Sequence, residues 1–197
     1  MKLKGERIRL KQGQTLIKRG DSCDNVYELR KGRLKCVRQS GDGRYCIEEW
    51  LESPAVFGLT TLFGRVPQFP YMVSVDSPFA DIKIVKKSVL WHSMGKDEHL
   101  RAEIMNILST RVQKAENVIW DSRGEDVLQR FVDFLKLRIL YLPGRKLLRV
   151  NMFDLSRLLN VTPKKVSAML HDLEKKNLLR LTRSKIEIDH FENLIRP

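Results

Sequence analysis

The stretch Asp154 to Glu174, DLSRLLNVTPKKVSAMLHDLE, constrains this chain more than any other. Leu155, Leu158 and Leu159 recur at helical spacing, Asn160-Val161-Thr162-Pro163 interrupts, and the period resumes at Val166, Met169, Leu170 and Leu173. The pattern predicts a short helix, a tight turn and a second helix. Asn160 suits the turn because asparagine tolerates the left-handed conformation that ends a helix. Thr162 is a good N-cap, with Pro163 at the first helical position. The outward positions of the second helix are small, polar or basic: Thr162, Lys164, Lys165, Ser167, Ala168 and His171. A helix with an apolar back and a small basic front suits a DNA major groove, although an ordinary helical hairpin with a solvated face has the same pattern.

The next residues favour nucleic acid. Lys175-Lys176-Asn177-Leu178-Leu179-Arg180-Leu181, Thr182-Arg183-Ser184-Lys185 and Ile186-Glu187-Ile188 read as two short strands joined by a basic turn. Helix, turn, helix and hairpin is the winged-helix order, with Arg183 and Lys185 at the wing tip. From Arg145 to Lys185 there are eleven Lys/Arg against three Asp/Glu. Binding to phosphates draws its affinity largely from counterion release, so such an excess fits a double-stranded DNA partner.

The whole chain of 197 residues carries a formal charge of +13, but positive charge is not confined to one end. Lys2, Lys4, Arg7, Arg9 and Lys11 open the sequence, and basic composition alone therefore locates no site. No run of 18 apolar residues exists, and no apolar segment follows the basic start. Neither a membrane span nor a signal peptide is expected, and the expected location is the cytoplasm. Cys23, Cys36 and Cys46 fit a reducing compartment, since a secreted disulfide scaffold has a denser, even set.

Residues 5 to 90 form a train of strand-length pieces: Arg7 to Leu10, Thr15 to Lys18, Asn25 to Arg30, Arg33 to Gln39, Tyr45 to Leu51, Tyr71 to Val75 and Ala80 to Val85. Gly13, Gly20-Asp21, Gly32 and Gly41-Asp42-Gly43 punctuate them, which points to an antiparallel sandwich or rolled barrel. The pattern then turns helical from about Lys96 to Asp121, where Met105, Leu108, Val112, Ala115 and Ile119 make a coiled-coil-like seam. A single amphipathic helix capping the sheet is the other reading of that stretch. A further helix is expected over Asp126 to Leu142, with a domain boundary near Ser122 to Gly124.

In this order the pieces resemble the Crp-Fnr family of bacterial transcription regulators over nearly the whole chain. The resemblance is carried by Gly13, Gly20-Asp21, Val26-Tyr27, Gly32-Arg33-Leu34-Lys35, Gly41-Asp42-Gly43-Arg44 and Phe57-Gly58-Leu59-Thr60-Thr61-Leu62-Phe63. At the C-terminal end it is carried by Asp154 to Leu173 and Asn177-Leu178-Leu179. It implies an α+β chain: an N-terminal antiparallel β-roll like the cyclic-nucleotide-binding jelly roll over 1–95, a long dimerisation helix over 96–121 and a winged helix-turn-helix over 125–197. It implies a homodimer on a two-fold symmetric DNA site, with RNA polymerase as a partner if the protein is an activator. Thr162, Lys164, Lys165, Ser167, His171, Arg183 and Lys185 are then the DNA-binding residues, and Met105, Leu108, Val112, Ala115 and Ile119 the dimer interface. The family often grips a guanine with an arginine one turn into the second helix, where this chain has Ala168.

The resemblance breaks at ligand choice. Cyclic-nucleotide-binding relatives hold the ribose with a glutamate and the phosphate with an arginine followed by serine or threonine. Leu59 stands in the glutamate place, and Phe69 and Pro70 in the arginine and serine places, so the charge-assisted contacts are missing. Arg65 is the nearest cation. Any effector pocket would be lined by Phe57, Leu59, Leu62, Arg65, Phe69 and Tyr71, unless these side chains simply fill the roll. No response to cyclic nucleotides is expected, and no effector or cofactor is identified. A cubane cluster needs about four close cysteines, which this chain lacks. Cys36 and Cys46 flank one turn and are a thiol switch or two inert thiols. His92 and His99 are candidate haem or metal ligands without a visible supporting shell, and no metal site is expected. No P-loop, HExxH, GxSxG or Ser-His-Asp set occurs, which argues against an enzyme. The alternative to a DNA-binding regulator is a ligand-sensing or scaffold protein whose winged helix contacts other proteins.

Overall fold

Alternating strands and left-handed glycines build the first half of the chain. The computed structural model describes residues 4–65, 67–121 and 126–195, with side chains throughout except at 114 and 118–121. The boundary expected near Ser122 to Gly124 lies outside the described residues. The chain divides into two compact units, Met1–Cys36 with Leu51–Gln113, and Val37–Trp50 with Lys114–Pro197.

In the first unit, β1 (Glu6–Lys11), β8 (Phe79–Lys86), β3 (Asn25–Lys31) and β6 (Ala55–Phe57) form one antiparallel sheet in that spatial order. β2 (Thr15–Ile17) and β7 (Met72–Val75) pair in a second sheet, beside the start of β4 (Arg33–Gln39). Val26, Leu29, Leu34, Val73, Val75, Ile82 and Val85 are buried in the core of this unit; the alternation is broken in β3 and β8, where Val26 and Tyr27 and likewise Ile82 and Lys83 are buried side by side. Glycine is needed at position 32, where φ is +90° and an added Cβ would fall 2.3 Å from the Phe79 carbonyl oxygen. The short helix α1 (Leu59–Leu62) and the helix α2 (Lys87–Lys96) complete the roll. Neither β6 nor α2 was expected: β6 is three residues long, and α2 buries only Leu90 and Met94, too little for a clear period. The helix α3 (Glu98–Asp121) matches the expected helical stretch.

The second unit packs α4 (Val127–Lys136), α5 (Met152–Leu159) and α6 (Pro163–Lys175) on a sheet of order β10 (Arg180–Thr182), β11 (Lys185–Ile188), β9 (Lys146–Val150) and β5 (Tyr45–Glu52). Its core joins Ile47, Phe131, Leu135, Leu148, Leu155, Val166, Leu170, Ile186, Ile188 and Phe191. The helix expected to reach Leu142 stops at Lys136 because the Leu140 and Tyr141 N–H groups donate to the Glu49 carboxylate instead of to the preceding turn. β9 was not expected; its pairing partner β5 lies a hundred residues upstream.

Candidate nucleic-acid interface

The helix-turn-helix is assembled by caps. Asn151 Oδ1 accepts from the Asp154 N–H at 2.8 Å and starts α5. Asn160 ends it in the left-handed region, at φ 52°. Thr162 Oγ1 accepts from the Lys165 N–H at 3.4 Å, and Pro163 opens α6. Arg130 on α4 reaches into the turn, its Nη1 donating to the Leu159 and Asn160 carbonyls at 3.2 and 3.1 Å. Val166, Leu170 and Leu173 are buried. Lys164, Ser167, Ala168 and His171 consequently share the opposite face at i, i+3, i+4 and i+7, with Ser167 half-buried and the other three exposed. His171 Nδ1 lies 3.5 Å from Glu174.

The wing follows from a two-residue connection. Thr182 pairs with Lys185 and leaves Arg183-Ser184 at the tip, with Ser184 at φ 58°. The Ser184 carbonyl accepts from the Val150 N–H at 3.1 Å, which pins the tip beside the start of α5. Met152, Phe153 and Arg157 are exposed on α5, with the Arg157 guanidinium 5.3 Å above the Phe153 ring. Sequence reasoning missed this trio. Its signal was the pair Met152-Phe153 at a helix start, apolar and outside the leucine period.

The positive charge is partitioned. Arg180 and Arg145 are tied to Glu187 and Asp189 at 3.0–3.7 Å, Arg149 to Glu48 at 2.8 Å and Lys176 to Asp172 at 2.7 Å. Lys146 is fully buried, its Nζ donating to the Pro143, Gly144 and Arg145 carbonyls. Lys164, Lys165, Arg183 and Lys185 are exposed, and among the described residues none of them has an ion pair. Those four cations on α6 and the wing, together with the exposed Arg157 and Lys175, which also have no ion pair among the described residues, are what the second unit presents to an anionic partner.

In the roll, Phe57, Leu59, Leu62, Phe69 and Tyr71 are all buried together with Tyr27, which sequence reasoning did not place there. Tyr27 stacks on Phe57 at 5.2 Å and meets Phe69 edge-on at 6.1 Å, and Phe69 meets Tyr71 at 5.5 Å. Arg65 and Pro70 are exposed rather than part of this cluster. Cys23 is buried against the Asn25 and Gly58 carbonyls, and burial pushes its thiol up to about 11, so it is an inert thiol. Cys36 is buried in the first unit, and Cys46 is half-buried in the second. His92 and His99 are exposed. Among the described residues no group of three or more His, Cys, Asp or Glu side chains is placed to hold a metal ion.

Residues 7–79 match the family model of the cyclic nucleotide-binding domain. The chain is 24% identical to the global nitrogen regulator of Synechocystis over 187 residues, covering 90% of this chain and 81% of that protein. It is 23% identical to the fumarate and nitrate reduction regulatory protein of Yersinia pestis over 192 residues, covering 94% and 75%. Among solved structures its fold is similar to that of FixK2 from Bradyrhizobium japonicum, with a TM-score of 0.52 at 18% identity over 98% of this chain and 96% of that one. The chain thus carries a match to the cyclic nucleotide-binding domain and is similar along most of its length to Crp-Fnr transcription regulators. Members of the Crp-Fnr family are transcription regulators and not enzymes. Against that Crp-Fnr background the roll interior is notable for apolar bulk at the expected phosphate cassette, Leu59 and Phe69 both being buried. Among the described residues no helix is long and apolar enough to cross a membrane.

Proposed function

We propose that this protein is a homodimeric, sequence-specific DNA-binding transcription regulator whose roll does not take cyclic nucleotides. The observation that carries the reading is that Lys164, Lys165, Arg183 and Lys185, exposed on a helix face and wing otherwise made of small and polar groups, have no ion pair among the described residues. In this arrangement α6 lies in the major groove. Lys164 and Ser167 are nearest the base edges, and Thr162, Lys165, Arg183 and Lys185 meet phosphates. Ala168 offers no bidentate grip on guanine, so the operator departs from the family's usual one. Dimerisation rests on α3, where Met105 is 54% and Val112 56% exposed in the single chain, flanked by the half-buried Leu108 and Ala115. A symmetric partner helix would cover that seam. The Ile119 side chain lies outside the described residues.

The reading against cyclic nucleotides is supported by the buried aromatic cluster of Tyr27, Phe57, Phe69 and Tyr71, and by Leu59 and Phe69 standing where the ribose and phosphate contacts are expected. If the protein activates, RNA polymerase is its second partner. Footprinting of the native protein across the genome, followed by anisotropy on the recovered duplexes, tests the reading. Two-fold symmetric sites with salt-dependent binding are expected, and absence of any protected site overturns it.

A further inference from the structure

The second unit contains one segment that the sequence places far from it. The hairpin tip Val37–Trp50 belongs with Lys114–Pro197, so the chain enters this unit twice. β5 pairs with β9 from Tyr45↔Val150 to Glu49↔Lys146, and β9 pairs in turn with β11 of the wing.

Tyr45, Ile47, Glu48 and Trp50 of β5, and Arg38 on the other arm, each have an engagement within this unit. The Tyr45 ring meets Phe134 edge-on at 5.3 Å, and its hydroxyl accepts from Arg138 Nε at 2.9 Å. Ile47, 1% exposed, is part of the core beneath α5 and α6. Glu48 accepts from Arg149 Nε at 2.8 Å. The Arg145 guanidinium lies 4.6 Å above the Trp50 ring, and Arg38 Nη1 donates to the Arg138 carbonyl at 3.1 Å.

Glu49 goes furthest. It is 3% exposed and accepts from both the Leu140 and Tyr141 N–H groups, at 2.8 and 3.2 Å. A buried carboxylate needs donors, and the two N–H groups past the end of α4 need an acceptor; each solves the other's problem. A strand resting casually on a domain edge would not bury a carboxyl group, whose pKa burial raises, to do so.

We propose that the hairpin Val37–Trp50 is a positioning element of the DNA-binding unit, supplying its fourth strand and, through Tyr45 and Glu49, holding β9 and the wing beyond it in place. Both arms of the hairpin continue along the chain into the first unit. This inference rests on the DNA-binding reading for its functional half only.

Hydrogen exchange on the full chain, read amide by amide, tests the structural half. Y45A and E49A are expected to speed exchange in β9 and β11 by at least about tenfold. The amides of β3 and β8 should keep wild-type rates, showing that the roll is intact. The conservative variants Y45F and E49Q retain the ring or an acceptor and should restore most of the protection. Anisotropy on a basal duplex tests the functional half, with a matching loss of about tenfold in affinity expected for Y45A and E49A and recovery in Y45F and E49Q. Wild-type exchange in β9 and β11 of both alanine variants overturns the proposal. So does accelerated exchange with DNA affinity unchanged. If the wild-type chain binds no duplex at low salt, the DNA-binding reading falls while the exchange result still decides whether the hairpin holds the wing.

Discussion

Replacing Arg183 with alanine removes from the wing tip, once in each subunit of the proposed dimer, a cation with no ion pair among the described residues. Each phosphate neutralised contributes about 0.9 to the slope of log affinity against log salt, so a dimer using both tips should lose about 1.8 from the magnitude of that slope. Lys165, Arg183 and Lys185 in two copies give a parent slope of about −5 from these side chains alone. Between roughly 50 and 200 mM salt, the ratio of wild-type to R183A affinity should therefore fall by about tenfold. Arg180 is the internal control. It lies on the adjoining strand but is held by Asp189 at 3.0 Å and Glu187 at 3.7 Å, so R180A should leave the slope nearly unchanged. K164A should instead relax sequence preference, by about 1–3 kcal/mol per lost base contact. Fluorescence anisotropy over a salt series, on the native operator and on a scrambled duplex, measures all three. A slope change in R183A no larger than in R180A would refute the wing assignment. A change of about 0.9 would mean that only one subunit's wing engages.

Further outcomes follow from particular contacts. L108E/V112E places like charges along the α3 seam and should convert the dimer to monomer, read by sedimentation; a persisting dimer sinks the seam. Cyclic AMP and cyclic GMP should show no heat of binding in calorimetry, and micromolar affinity for either would mean that Arg65 or a rearranged aromatic cluster supplies the missing contacts. R130A strips a charged donor from the Leu159 and Asn160 carbonyls and should cost about 1–3 kcal/mol in urea unfolding, together with weaker DNA binding. The Gly144 N–H donates to Glu192 and holds its carboxyl below the ordinary range. The resulting stabilisation is present above the unfolded-chain value and lost as pH falls through the folded one, so E192Q should flatten the acid limb of the unfolding midpoint against pH.

What the sequence made legible was local. The helix-turn-helix could be read because its period, Asn160, Thr162 and Pro163 act within a few residues of one another, and the wing because Thr182 and Lys185 face each other across a two-residue tip. β9 could not be read: Lys146-Leu147-Leu148-Arg149-Val150 becomes a strand by lying between β5 and β11, and β5 is a hundred residues away. The early end of α4 has the same origin, since Glu49 takes the amides that would have continued the helix. At the site, the outward side chains were legible from helical geometry. Arg130 bonding to the turn and Ser184 bonding to Val150 were not, because both act through backbone carbonyls that carry no sequence signature. Composition also overstated the face: it counts Arg145, Arg149, Lys176 and Arg180 with the rest, although each has a carboxylate partner.

Lys146 gives that last distinction a wider meaning. The chain folds the carbonyls of Pro143, Gly144 and Arg145 around its ammonium, so this cation spends its hydrogens on the turn that leads into β9. An amine-directed reagent should reach Lys164, Lys165 and Lys185 long before it reaches Lys146. The charges that shape the domain and the charges that face outward reside on different side chains. Substitution can therefore raise or lower the outward set without disturbing the scaffold that displays it.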